Sequence, residues 1–216
     1  MQSAAEFIHE FIEFAIQRGV LKFGEFTLKS GRKSPYFFNA GLFQDGESLA
    51  RLGQYYAQAL QASAVSYDVL FGPPYKGIPL VSATAIGLST HYQRNVPYAY
   101  SRKEEKKHGE GGQLVGAEIT GRVMIVDDVI TAGTAIRGAI DLIQEQTGQV
   151  AGVVVAIDRQ EKGSGQLSAI EEVEQEFQVP VISIVKFADI IEYLSAQSSK
   201  DQIERMLAYR RTYGVS

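Results

Sequence analysis

The chain of 216 residues contains no cysteine. Disulfides, zinc-thiolate centres and cysteine nucleophiles are therefore outside its chemistry, and the composition fits a reducing cytoplasm. Its histidines, His9, His91 and His108, are too scattered for a His-rich metal site. His9 falls on a helix face and His91 near a helix end, and neither is given a role. No apolar run approaches the roughly 18–20 residues that a helix needs to cross a bilayer. Glu6, Glu10 and Glu13 interrupt the N-terminal apolar stretch, which is not the pattern of a signal peptide. Neither GxxxxGK[ST] nor GxGxxG occurs, and there is no internal repeat or low-complexity tract. A formal net charge of −4 and a pI near 5.5 leave no basic surplus for coating nucleic acid.

What is present is an ordinary globular composition, 45% hydrophobic and 21% charged, in a length that suits one domain. Residues 3–18 read as a helix: Ser3 and Glu6 have capping-box spacing, Phe7, Ile8, Phe11, Ile12, Ala15 and Ile16 share a face, and Gly19 is the stop. Runs at 26–29 and 36–38 around Ser30-Gly31-Arg32 suggest a hairpin, and 47–62 reads as a helix. Apolar strands then alternate with helices: strands at 69–71, 98–100, 123–126, 153–157 and 181–185, helices at 76–88, 134–146 and 200–212. Buried strands separated by helices predict an α/β fold, a parallel sheet covered by helices on both faces. The N-terminal helix and hairpin break this rhythm and are expected to form a separate small lobe. In open parallel sheets ligands bind beyond the carboxyl ends of the strands, so the loops after Phe71, Tyr100, Val126 and Ile157 are the ones to inspect.

The strongest of these is Val126-Asp127-Asp128-Val129-Ile130-Thr131-Ala132-Gly133-Thr134-Ala135. Two carboxylates end a strand, and a short Thr/Gly loop leads into a helix whose free N–H groups favour phosphate. Thr131 and Thr134 add hydroxyl donors, and Gly133 allows close backbone approach. Carboxylates beside a phosphate cradle suit sugar hydroxyls or the Mg²⁺ that accompanies a polyphosphate. The competing reading is two solvated aspartates with a threonine capping the helix.

This string resembles the phosphoribosyl-diphosphate-binding motif of the type I phosphoribosyltransferases. With FGEFTLKSGRKSPYFFNAG at 23–41, GPPYKGIP at 72–79, RKEEKKHGEGG at 102–112 and DRQEKG at 158–163, nearly the whole chain resembles the bacterial orotate phosphoribosyltransferase family. The resemblance implies a single domain over 1–216, with a central parallel sheet, helices on both faces, an N-terminal hood lobe over about 1–45 and a mobile catalytic loop at 102–114. It implies transfer of phosphoribosyl from 5-phosphoribosyl 1-diphosphate to orotate through an oxocarbenium-like ribosyl cation. Mg²⁺ would travel on the diphosphate, with no dedicated metal site of the protein. It also implies a cytoplasmic homodimer that shares sites between subunits and binds neither nucleic acid nor membrane.

Carried onto this sequence, Asp127 and Asp128 hold the ribose 2′ and 3′ hydroxyls, and Thr131 to Ala135 hold the 5′-phosphate in a cradle that begins at Val129 and Ile130. Lys29, Tyr75, Lys76, Arg102, Lys103, Lys106 and His108 contact phosphoribosyl diphosphate. Lys106, Arg102 and His108 join Asp127 and Asp128 as the catalytic set, with Lys106 the most rate-critical, because cations stabilise the charge that grows on a departing diphosphate. Glu110 shares the loop without a defined role. Lys29, Phe37, Phe38, Thr131 and Arg159 are assigned to orotate, Arg159 to its carboxylate. The family more often has a small residue at the place of Pro74.

By composition alone, the 102–112 run is equally a solvated charged loop, Phe37-Phe38 one core and one half-exposed ring, and Arg159 a surface ion pair with Asp158. Two functional alternatives stay open: a phosphoribosyltransferase for another base, and a non-catalytic regulator on the same fold.

Overall fold

The computed structural model describes residues 3–28, 31–106, 112–163, 165–197 and 200–215, with the side chains of Glu105 and Lys106 outside that description. In chain order the elements are α1 (Ala4–Gln17), β1 (Leu21–Thr27), β2 (Lys33–Phe38), a 3₁₀ turn (Ala40–Leu42), α2 (Gly46–Ala62), β3 (Val69–Gly72), α3 (Gly77–Tyr92), β4 (Tyr98–Lys106), β5 (Gly112–Gly116) and β6 (Thr120–Val126). They continue with α4 (Thr134–Glu145), β7 (Thr147–Asp158), α5 (Ala169–Phe177), β8 (Val181–Lys186), α6 (Phe187–Ala196) and α7 (Lys200–Tyr213).

Local chemistry sets the ends of α1 as expected. The Ser3 hydroxyl accepts the Glu6 N–H at 3.2 Å while the Glu6 carboxylate accepts the Ser3 N–H at 2.7 Å. The chain leaves through Gly19 at φ +67, a conformation natural to glycine. The six-stranded sheet has the order β5-β4-β3-β6-β7-β8. β4, β3, β6, β7 and β8 pair in parallel and β5 lies antiparallel at the edge.

Side-chain alternation along the strands divides the apolar residues between two layers. Leu70, Met124, Val126, Val154 and Ala156 face α1, α2, α3, α6 and α7. Val69, Phe71, Val123, Ile125, Val153 and Val155 face α4 and α5. Each central strand is thus buried on both sides, which explains its uninterrupted apolar sequence.

Three differences from the sequence expectation bear on the site. The basic run does not start as a loop: Arg102 to Lys106 continue β4, and the chain returns as β5. A strand with charged side chains at a sheet edge carries no apolar signal to mark it. The N-terminal segment is not a separate lobe: β1 and β2 form their own two-stranded sheet, but Leu21, Tyr36 and Phe38 from it join Phe11, Ile12 and Phe14 of α1 in the main core, beside Tyr55 of α2. Helices α5 and α6 were not foreseen, because each is short and flanks a strand whose apolar residues dominate the pattern.

Candidate active site

The sheet's strand order reverses between β3 and β6. From β3 the chain moves outward to β4, and from β6 it moves the other way to β7 and β8. The loops after β3 and β6 therefore diverge and leave a crevice at the switch point. Two glycines close the packing beneath it. A Cβ on Gly72 would lie 2.3 Å from the Gly77 carbonyl oxygen, and one on Gly77 would lie 2.9 Å from the Val126 carbonyl oxygen. The start of α3 is thereby drawn against the end of β6, and Lys76 Nζ reaches Asp128 Oδ2 at 2.5 Å. Tyr75, one residue earlier and joined to Pro74 by a cis peptide bond, is 68% exposed.

The two aspartates are not solvated: Asp127 is 7% and Asp128 9% exposed. This overturns the reading of a strand that ends in two free carboxylates. The segment stays tied to β7 beyond the regular strand, with the Asp127 N–H donating to the Val154 carbonyl at 3.0 Å and the Ala156 N–H to the Asp128 carbonyl at 2.9 Å. From α2, the buried Tyr56 hydroxyl donates to the Asp127 carbonyl oxygen at 2.7 Å, a support that nothing in the sequence pattern singled out. The Asp128 N–H donates to Asp127 Oδ1 at 2.9 Å. Burial, and then the neighbouring Asp128 charge, push the Asp127 carboxyl up to about 7.

Past Val129 and the buried Ile130, Thr131 and Ala132 are exposed, Gly133 is buried, and Thr134 and Ala135 are exposed at the first turn of α4. Gly133 stands at the N-cap with φ +71, so no threonine side chain caps this helix and its first N–H groups are left for a ligand. A Cβ on Gly133 would lie 2.6 Å from Arg137 Nη1. That guanidinium braces the loop by donating to the Ala132 carbonyl at 2.8 Å while pairing with Glu176 at 2.7 Å.

At the end of β7, the strand beside β6, lies Arg159. Its ion-pair partner is Glu161 rather than Asp158, at 2.7 Å, and Asp158 Oδ1 accepts the Gln160 N–H at 2.8 Å. The Arg159 guanidinium lies over the Tyr36 ring, 4.8 Å from its centroid. Burial raises the Tyr36 hydroxyl well above the usual phenol range, so it stays a proton donor. Along β2, Tyr36 and Phe38 point into the core, and Phe37 points to the opposite face and stacks on Phe26 at 5.5 Å. Phe38 is therefore the core ring and Phe37 the half-exposed one, and Phe38 can offer a ligand only its backbone.

Among the predicted site residues, Lys76, Asp127, Asp128 and the 129–135 loop are brought together, with Arg159 at the end of the adjacent strand. Arg102, on β4, donates to the Gly112 carbonyl at 3.3 Å, and Lys103 is exposed. Lys29, His108 and Glu110 lie outside the described residues, as does the side chain of Lys106. Sequence reasoning missed Tyr56, Tyr36, Arg32 and Glu161. Only Glu161 carried a signal, an acidic residue two positions after an arginine at a strand end.

A doubly covered parallel sheet with a phosphate-type loop and paired aspartates at its switch point defines a phosphoribosyltransferase, and residues 42–181 match the phosphoribosyl transferase domain family. An orotate phosphoribosyltransferase of Pseudoalteromonas translucida is 61% identical over 208 residues, covering 96% of this chain and 97% of that protein. One from Vibrio cholerae is 61% identical over 95% of this chain and 97% of its own length. The crystal structure of the Francisella tularensis orotate phosphoribosyltransferase superposes with a TM-score of 0.88 at 48% identity, covering 95% of this chain and 99% of that one. The chain belongs to the orotate phosphoribosyltransferase family.

Proposed function

We propose that this enzyme transfers the phosphoribosyl group of 5-phosphoribosyl 1-diphosphate to orotate, giving orotidine 5′-phosphate and diphosphate for pyrimidine synthesis. The observation that carries the residue assignment is the meeting of Lys76, Asp127, Asp128 and an uncapped helix start at the switch point, one strand away from Arg159.

The C1–O bond to diphosphate breaks as the bond from C1 to the pyrimidine nitrogen forms, the proton of that N–H passes to the departing diphosphate, and no covalent enzyme intermediate arises. The chain's contribution is position and charge. The 5′-phosphate sits on the 131–135 loop and the α4 N-terminus. Asp127 and Asp128 accept from the ribose hydroxyls, and Lys76 turns from Asp128 toward the diphosphate. Arg102, Lys103, Lys106 and His108, with Lys29, meet the negative charge that grows on the leaving group. Arg159 takes the orotate carboxylate, and the Phe37-Phe38 segment borders the flat ring.

Hard oxygen donors suit Mg²⁺, and the two aspartates supply them beside the sugar. When bound, Mg²⁺ on the diphosphate neutralises part of the leaving group's charge. A homodimer in which the 102–114 segment serves the partner's site, working in the cytoplasm, completes the proposal.

A panel of bases tests the choice of acceptor. Orotate should react at least about 10³-fold better in kcat/KM than uracil, which lacks the carboxylate, because the donors of Arg159 not taken by Glu161 are then left without an acceptor in a largely desolvated place. Adenine and hypoxanthine should not react. Comparable turnover of a purine would remove the orotate assignment.

A further inference from the structure

Arg159 and Glu161 form a nearly buried pair, with side chains 14% and 13% exposed. The carboxylate approaches from the side of the guanidinium: Glu161 Oε1 accepts from Nε at 3.0 Å and from Nη2 at 2.7 Å. An arginine has five N–H donors in a fixed plane. The Nη1/Nη2 end of the fork therefore keeps the two parallel donors that grip a carboxylate.

Glu161 is itself held from three directions. The Tyr36 hydroxyl donates to its Oε1 at 3.4 Å, and Arg32 of the hairpin stands 3.7 Å from its Oε2. Arg32 also donates to the neighbouring Lys162 carbonyl at 3.3 Å and lies over the Tyr213 ring. The backbone is pinned by the end of the chain, with Glu161 bridged to Gly214, the Lys162 N–H on the Tyr213 carbonyl at 2.8 Å and the Val215 N–H on the Gln160 carbonyl at 3.0 Å. The buried Tyr209 hydroxyl of α7 lies beside this pair and interacts with both its members, and burial, then the Glu161 charge, raises it above the usual phenol range.

We infer that Glu161 is a positioning residue for substrate recognition: it holds Arg159 over the Tyr36 ring and turns the free end of the guanidinium toward the carboxylate of the pyrimidine. The inference rests on the assignment of that carboxylate to Arg159. Charge supports the same role. Arg32 and Arg159 carry two positive charges and Glu161 one negative, so the cluster presents a single net positive charge, the complement of one carboxylate. Without Glu161 the two guanidiniums would repel each other, and Arg159 would lose its orientation. Through the bridges at 160–162, the C-terminal helix and tail become part of the binding apparatus although no residue of theirs need touch the substrate.

The test is steady-state kinetics on Glu161→Ala, Glu161→Gln, Arg159→Ala and the double variant Glu161→Ala/Arg159→Ala, with orotate and the sugar diphosphate varied in turn. Glu161→Ala should raise the KM for orotate about tenfold, as expected for the loss of charge-assisted hydrogen bonds that orient a group. The KM for the sugar diphosphate should stay within about twofold. Glu161→Gln, which keeps an acceptor oxygen in place, should raise the orotate KM about threefold, and it carries the comparison if the alanine variant does not fold. In the Arg159→Ala background, removal of Glu161 should have no further effect on the orotate KM.

An unchanged orotate KM in both Glu161 variants, with a raised one in Arg159→Ala, overturns the positioning role alone. An unchanged orotate KM in Arg159→Ala overturns the carboxylate assignment and the inference built on it. Equal rises in both substrates' KM, or a Glu161 effect that persists without Arg159, would show a general disturbance of the fold and overturn the role.

Discussion

Asp127 is held in an environment that disfavours its charge, and this makes a pH-dependent prediction. Its folded value of about 7 lies above the roughly 3.9 of an unfolded aspartate. Between those values the folded chain holds a proton that the unfolded chain has released, so stability falls as pH rises through that window and stays lower above it. Asp127→Asn should therefore raise the melting temperature by about 3–6 °C at pH 8 and change it little at pH 4. The same variant should lose at least about 10²-fold in kcat/KM for the sugar diphosphate, because an amide is a poorer acceptor for ribose hydroxyls. Equal melting shifts at both pH values, measured by calorimetry, would contradict the burial argument. Lys106→Ala should lower kcat by about 10²-fold or more with little change in either KM, since its contact matters most as charge develops. A raised KM with an unchanged kcat would remove that role. The aspartates were legible in the sequence as residue types at the end of a buried strand. Their burial, and the support from Tyr56, were not, because those depend on a helix more than sixty residues away in the chain.

Among the elements, the loop from β6 to α4 carries the most specific geometry. Gly133 combines φ +71 with a Cβ position 2.6 Å from Arg137 Nη1. Gly133→Ala should cost about 1–2 kcal/mol in stability, and by displacing the Arg137 brace it should raise the KM for the sugar diphosphate about tenfold or more. The KM for orotate should change little, and a thermal melt with two-substrate kinetics reads all of these effects. An unaltered diphosphate-sugar KM would show that the loop tolerates a side chain here and that the phosphate sits elsewhere. The strands that build this region were legible, since β3, β6, β7 and β8 are apolar on both faces. The β4–β5 extension was not, because Arg102, Lys103 and Glu104 are charged residues on a strand whose far neighbour begins only at Gly112. Charge density reads as a loop wherever the partner strand itself carries no apolar run.

On the scale of the whole molecule, a net charge of −4 describes the surface and not the site. Among the described residues, Lys76 stands at the switch point and Arg159 at the end of the adjacent strand, so cations are present where the proposed reaction would hold a polyanionic sugar and a carboxylate. If the 102–114 segment serves the partner's site in a dimer, mixing Lys106→Ala with Asp128→Asn subunits should recover activity that neither variant has alone. Inactive mixtures, with subunit exchange verified, would place each site within one chain. The α/β fold class was legible from a single sequence because it rests on local periodicity, and the loop after β6 was legible because its aspartates, threonines and glycine are contiguous and resemble a family motif. The cluster of Arg32, Tyr36, Arg159, Glu161 and Tyr213 was not, because the hairpin, the end of β7 and the end of α7 meet only in the folded chain. The most direct measurement is a coupled assay of the purified chain with orotate, 5-phosphoribosyl 1-diphosphate and Mg²⁺. Orotate absorbance should fall with release of one diphosphate per orotate consumed, and the loss should cease when any of the three is withheld. Diphosphate release that is independent of orotate, or no loss of orotate across a wide range of protein concentration, would contradict the assigned reaction.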